Sequence, residues 1–289
     1  MGSRYLTEMA DWLRTAGITV VEYAGWQSRA RSTGGYESGR PWGVMWHHTA
    51  SQTSPQNDAD YMCHGSSDRP IANLMVARDG TVWVLAAGAT NTNGKGGPWK
   101  WSRGQVPKDN MNVYAVGMEL CCNGVGEAYS QVQVDSAFTA SIALVANLGL
   151  ADTDICTHAA YAPDRKIDPA TAAAVQGPWQ PRSCTPSGTW DLDDLISEHC
   201  RRCQAPPTPR LEDNDVMHVI AYADDGTTVA RGPAVIGPGY WHYSRTENEA
   251  YVWCKMWGEP RVLENAYDFD LLVKTLALEP DDGSVLGPT

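Results

Sequence analysis

Five side chains from three separated stretches of this 289-residue chain have the types and spacing for metal and proton-transfer chemistry. Adjacent His47 and His48 close the apolar run Trp42-Gly-Val-Met-Trp46. Much later, within the stretch Thr157 to Pro169, His158, Lys166 and Asp168 fall within eleven residues. Neutral imidazoles and a carboxylate are zinc ligands, and a catalytic zinc needs three protein ligands with one position left open to water. A strand turns neighbouring side chains to opposite faces, so His47 and His48 do not both reach one ion. One is a ligand candidate and the other a structural histidine, and spacing alone does not choose between them. Lys166 and Asp168 stand two apart and face the same way in extended backbone, which Pro169 favours at Asp168. Alone they would be an ordinary exposed ion pair worth little.

Glu119 is the third element. It sits in the apolar run Val113-Tyr-Ala-Val-Gly-Met-Glu119-Leu, and its strand face carries Val113, Ala115 and Gly117, leaving space above the sheet. A carboxylate there must find a partner or shift its pKa. Either outcome suits a general base beside an activated water.

The elements that must position these groups follow from periodicity and turn signals. A helix is predicted over residues 4–16, a buried strand over 42–50 and a short helix over 57–64. Residues 71–88 read as a hairpin about Arg78-Asp79-Gly80. Residues 89–110, rich in Gly, Asn and Pro, read as a long surface loop of the kind that binds ligands. A strand follows over 112–122, then a helix over 131–149 with Val134, Phe138, Ile142, Val145 and Leu148 on one stripe. A loop covers 157–170 and a closing helix 190–203. These define an α/β (α+β) fold class: a central mixed sheet flanked by helices, with the metal site in a groove at the strand ends. Pro206, Pro207 and Pro209 mark a stiff linker over 204–212. Beyond it, a small C-terminal α+β module over 213–280 is expected, with strands at 216–223, 227–235 and 260–264, helices at 246–257 and 267–278, and a tail at 281–289.

Composition bounds the function. Apolar residues make up 43% of the chain, enough for a buried core. The net charge is −12, and residues 210–289 hold 14 acids against 6 bases. Nucleic acid and anionic membrane surfaces, which call for basic patches, are poor partners for such a chain. No apolar run is long enough for a transmembrane helix. The N-terminus, MGSRYLTEMADWLRTAG, has no secretory h-region, so the expectation is synthesis in a host cytoplasm and release by another agent. The eight cysteines are then read as reduced thiols, and Cys200-Arg-Arg-Cys203 as a lone CxxC without a matching second pair.

The pattern as a whole resembles the type 2 N-acetylmuramoyl-L-alanine amidases, which share their fold with peptidoglycan recognition proteins. The resemblance rests on His47-His48-Thr49-Ala50 at a strand end, the hairpin at Asp79-Gly80, Gly117-Met118-Glu119, and a loop histidine followed eight and ten residues on by Lys166 and Asp168. It covers roughly residues 1–200. It looks closest to lysins of phages infecting actinobacteria, including the GKGGPW loop at 94–99.

The resemblance implies a zinc amidase domain at 1–203. His47, His158 and Asp168 would hold Zn2+, Glu119 would be the catalytic carboxylate and Lys166 would stabilise the oxyanion. The implied reaction is hydrolysis of the bond between N-acetylmuramic acid and L-alanine in bacterial peptidoglycan. The implied setting is a phage endolysin, expected to be a monomer, acting on the host cell wall after release, with the C-terminal module as a wall anchor. Relatives carry histidines where this chain has Asn73 and the stretch Thr90 to Gly94, so Asn73, Asn91 and Asn93 become candidate substrate contacts. Trp99 joins them as an aromatic in the long loop, with Trp101 beside it. Two rival readings share the fold: a recognition module that binds without cutting, and a virion-associated tail lysin with the same chemistry.

Overall fold

The computed structural model describes residues 4–36, 39–170 and 173–204, and the backbone of four later strands at 219–224, 229–237, 240–243 and 261–263. The chain divides into two compact units, Met1–Pro206 and Pro207–Thr289.

In the first unit, helix α1 (Met9–Thr15) buries Met9, Ala10 and Leu13 at helical spacing. It is shorter than expected because residues 4–6 pair with other segments: Arg4 bridges Tyr36 and the Leu6 amide bonds the Ala87 carbonyl. Then come β1 (Val20–Glu22), β2 (Gly43–His48) and α2 (Pro55–Asp60). Ser54 caps α2 by accepting from the Asn57 amide, and Pro55 occupies the first turn, where its missing N–H costs nothing. Beyond α2 the chain runs through a π-helical turn, Tyr61–Gly65. β3 (Leu74–Val76) and β4 (Val82–Val84) form the expected hairpin. The anticipated loop at 89–110 holds a second hairpin, β5 (Trp99–Trp101) with β6 (Gly104–Val106). β7 (Ala115–Leu120), α3 (Gln131–Leu148), β8 (Ile155–Thr157), the one-turn α4 (His158–Tyr161) and α5 (Leu192–Gln204) complete the unit. α3 starts on a Ser130 cap and stops at Gly149, whose φ of 62° a glycine adopts without penalty.

The sheet runs β1-β4-β3-β7-β2-β8. Only β3 and β4 pair antiparallel, and the other neighbours are parallel, so the sheet is mixed. Central β2 and β7 are covered on both faces, which explains their nearly unbroken apolar sequences. Val44 and Trp46 of β2 and Val116, Met118 and Leu120 of β7 share a core with Phe138 and Leu144 of α3. The Trp46 indole donates to the Ser141 hydroxyl at 2.9 Å. The opposite face holds two smaller cores, one around Met45, Ala115 and Tyr161 and one around Met62, Met75 and Cys121. Cys121 and Cys122 fall in different cores, as neighbours in extended chain must.

The space expected above Gly117 is not open. A Cβ there would collide with the Thr92 side chain. Asn73 accepts from the Gly117 amide at 3.0 Å and donates to the carbonyls of Ala86 and Gly88 at 2.9 and 2.7 Å. A bare backbone at 117 therefore lets the loop after β4 settle directly on β7, next to the end where Glu119 lies.

The described part of the second unit is a four-stranded sheet in the order β11-β10-β9-β12, formed by β9 (Val219–Asp224), β10 (Val229–Gly237), β11 (Tyr240–Tyr243) and β12 (Arg261–Leu263). β12 runs parallel to β9 and the other pairs are antiparallel. β11 has no counterpart among the predicted strands. The predicted helices at 246–257 and 267–278, and nearly all of the predicted linker, lie outside the described residues.

Replacing Gly117 with Ala should force Thr92 away from β7 and destabilise the first unit by about 1–3 kcal/mol, the usual range for overpacking. Urea unfolding of the two proteins measures this; equal midpoints would mean the contact with Thr92 carries no weight.

Candidate metal centre

Strand register assembles the site. β2 and β7 pair with His47 opposite Glu119, and β2 and β8 pair with Trp46 opposite Thr157. His158, the next residue, therefore starts α4 beside His47. Thr157 caps that turn by accepting from the Ala160 amide at 3.1 Å. The Ala159 amide in turn donates to the Asp168 carbonyl at 2.9 Å, which folds the loop back and returns Asp168 to the start of α4.

The three side chains converge. His47 Nδ1 lies 2.9 Å from His158 Nδ1 and 3.0 Å from Asp168 Oδ2, and His158 Nδ1 lies 2.9 Å from the same oxygen. All three residues are buried, at 1%, 2% and 7% exposure. Among the described residues this is the one group of His, Cys, Asp or Glu whose ligand atoms approach closely enough to hold an ion.

His47 Nε2 faces the Asn93 side-chain oxygen at 3.1 Å, and His158 Nε2 faces the Asn93 backbone carbonyl at 2.8 Å. Both Nδ1 atoms therefore turn inward, toward each other and toward Asp168 Oδ2, as ligands to one ion would. Zinc with tetrahedral Zn–N bonds of 2.0–2.1 Å places its ligand atoms about 3.3 Å apart, close to the spacing seen. The residues fit the ion.

Electrostatics agree with that reading. Burial, reinforced by neighbouring His47, pushes the His158 pKa down to about 4, which keeps the imidazole neutral and able to ligate. Burial works to raise the Asp168 carboxyl, but the imidazoles of His158 and His47 outweigh it and hold the group ionised well below the usual carboxylate range. Glu119 is buried at 7% exposure, with one carboxylate oxygen lacking any hydrogen-bond partner. Burial lifts its pKa to about 7, with His47 opposing and Asp168 assisting. It is a base poised near neutrality beside a cluster of ligands.

Lys166 is half-buried, and its charge is felt by Glu119, His48 and His158. It also lines a cavity of about 330 Å3 with Thr157, Pro163, Ile167, Thr185 and Trp190. His48 is on the other face of β2 from the ligands. Its Nδ1 accepts from the Ala170 amide at 3.1 Å, tying the backbone just after Asp168 to the strand that carries His47. It is a structural histidine in this geometry.

Of the expected substrate contacts, Asn73 has no exposed surface, and its amide is consumed by the backbone of Gly117, Ala86 and Gly88. Asn93 is likewise fully buried, against the imidazoles. Neither has surface to offer a substrate, because the loop packs down on Gly117. Asn91 is half-buried and donates to the Asp68 carbonyl at 2.9 Å, and Trp99 is half-buried at the start of β5. Trp101, also considered for substrate contact, is buried in the core around Met45. Sequence reasoning gave no structural role to Arg165, which donates to the Asn93 carbonyl at 2.9 Å; its place next to Lys166 was the available signal.

Sheet, register and ligand cluster together define an α/β domain with a two-imidazole, one-carboxylate centre at the strand ends and a buried glutamate beside it. Residues 37–171, which span all of these side chains, match the family model described as N-acetylmuramoyl-L-alanine amidase. This domain belongs to that family, and the chain is an enzyme of that class. Solved structures similar to it include an AmpD derivative, at 17% identity and a TM-score of 0.39 over 53% of this chain and 87% of that one. The amidase LysC from Clostridium intestinale matches at 16% identity and a TM-score of 0.36, over 50% and 84% of the respective chains. Drosophila PGRP-LB in complex with tracheal cytotoxin matches at 13% identity and a TM-score of 0.36, over 50% and 86%. No curated protein matches the chain.

Buried His158 takes up a proton near pH 4, whereas an unfolded histidine does so near 6.5. Its folded pKa is depressed, so the stabilisation is present above 6.5 and is lost as the pH falls from 6.5 toward 4. Metal-free protein should lose unfolding free energy across this window more steeply than the His158→Gln variant. Parallel pH profiles from urea melts would contradict the assignment.

Proposed function

We propose that the first unit is a zinc-dependent hydrolase of the amide bond between N-acetylmuramic acid and L-alanine in bacterial peptidoglycan, working as a phage endolysin in host lysis. The observation that carries this reading is the meeting of two imidazole nitrogens and a carboxylate oxygen beside a buried, unpartnered Glu119 oxygen. His47, His158 and Asp168 would hold the ion. When bound, zinc lowers the pKa of water toward 7 and polarises the scissile carbonyl as a Lewis acid.

The chain's own residues do the rest. Glu119 takes the proton from the attacking water as its oxygen bonds the lactyl carbonyl carbon. It then passes that proton to the departing nitrogen, so the C–N bond breaks to give a lactyl carboxylic acid and a free L-alanine amine. A pKa near 7 lets one carboxylate accept and return the proton without a large penalty in either direction. Lys166 supports the oxyanion through the positive charge it places over Glu119 and His158. Burial excludes water and keeps these interactions strong. A recognition module that binds without cutting would have no need for the glutamate and the complete ligand set together.

Two measurements test the reading. Glu119→Gln should still bind zinc but release new L-alanine amino termini from purified peptidoglycan about 10²–10⁴-fold more slowly, the usual share of a general base. Mass analysis of the digest reads this, and parental digestion that survives a chelator unchanged would remove the metal from the reaction. Zinc at a hundred times its Kd should stabilise the parental fold by about 2.7 kcal/mol. The same zinc should do nothing for Asp168→Ala; an equal rise in Tm would place the ion elsewhere.

A further inference from the structure

We propose that the cavity beside Lys166 is a subsite for the stem peptide on the leaving side of the scissile bond, and that Asp193 selects stems whose third residue carries a side-chain amine. The inference rests on the hydrolase reading above and names what the same centre accepts beyond L-alanine.

The cavity lies outside the ligand cluster but adjoins it. Its volume, about 330 Å3, falls in the size range of small-ligand sites. Thr157, Ala159 and Ala160 bound it at the start of α4, and Lys166 and Ile167 bound it in the ligand loop. These are the chain neighbours of His158 and Asp168. Ile167 leaves 41% of its surface exposed, which few large apolar side chains of the described residues do. A peptide lying on it would cover that surface. The wall made by residues 184–193 is preformed. It hangs on the ligand loop through the Trp190 amide, which donates to the Pro169 carbonyl at 3.0 Å, and it closes on itself where the Cys184 amide donates to the Thr189 carbonyl at 2.8 Å. Trp190 is 3% exposed and packs against Trp46 and Tyr129, so this wall is fixed in the core.

Charge defines the guest. The lining is apolar or hydroxyl-bearing except for Cys184, Lys166, Asp191 and Asp193. Asp191 is engaged: it accepts from Arg182 at 3.0 Å and from the Cys184 thiol at 3.2 Å. Neither Lys166 nor the exposed Asp193 belongs to an ion pair among the described residues. Apolar walls with one unpaired cation and one unpaired anion suit a peptide that carries both signs. The stem peptide is one, since a D-glutamyl residue and then a diamino acid follow its L-alanine. Complementarity places the side-chain amine at Asp193, because Lys166 would repel it.

Two soluble muramyl tripeptides, identical except that the third-residue amine is free in one and acetylated in the other, test the contact. The parental enzyme should favour the free amine in kcat/KM by about two- to fivefold, the range of an exposed ion pair. Asp193→Asn should bring that ratio to about one, and Asp193→Lys should invert it. A variant that merely folded poorly would slow both substrates alike and keep the parental ratio. A parental ratio of about one, or a ratio that survives both substitutions, would overturn the proposal. If the parental protein cleaves neither substrate, the hydrolase reading fails by itself. Titration with the free tripeptide L-alanyl-γ-D-glutamyl-L-lysine then decides the cavity: amide shifts confined to residues 157–167 and 184–193 uphold it, and shifts elsewhere or none remove it.

Discussion

Two imidazole nitrogens and a carboxylate oxygen sit at mutual distances of 2.9–3.0 Å, and the rest of the first unit serves to keep them there. The restraint comes from parallel pairing of β2 with β7 and β8, which fixes His47 opposite Glu119 and one residue past the level of Thr157. A slip of one residue in either pair would turn a ligand to the wrong face of the sheet. The apolar contacts of Val44, Trp46, Val116 and Met118 with α3 set that register, so the core beneath the sheet determines the chemistry above it.

The loop after β4 is the second restraint. It lies on β7 because Gly117 offers no side chain and because Asn73 and Thr90 satisfy the backbone and one another in the interior. A buried polar network of this kind is costly unless every member is paired, and when paired it rigidifies what it touches. Asn73 stands at its centre, and Asn93, three residues after Thr90 in the same loop, reaches the two imidazoles. Loop packing, polar satisfaction and ligand placement form one continuous arrangement. His48 makes a comparable tie from the opposite face by holding the Ala170 amide.

Much of this was legible in the sequence. The long helix was marked by its apolar stripe and appears at Gln131–Leu148. The strand ending in His47 and His48, the hairpin at Arg78-Asp79-Gly80 and the strand bearing Glu119 were marked by apolar runs and turn residues, and they appear at those places. The two-residue alternation along β2 separated the faces of His47 and His48, while the resemblance to an amidase family picked His47. Short strands β1, β8 and β11 escaped because three or four residues carry too little periodicity to stand out. The hairpin at β5 and β6 escaped because a Gly- and Pro-rich composition reads as loop.

Residue types and spacing by themselves determined that two imidazoles, a carboxylate and a buried glutamate were available, since chemical identity is written one residue at a time. Only the tertiary structure decided what each asparagine does. An amide in a polar loop is the same letter whether it faces solvent or a buried ring. Its role depends on which atoms surround it, and for Asn73 and Asn93 those atoms come from β7 and from residues 46 and 65 positions away.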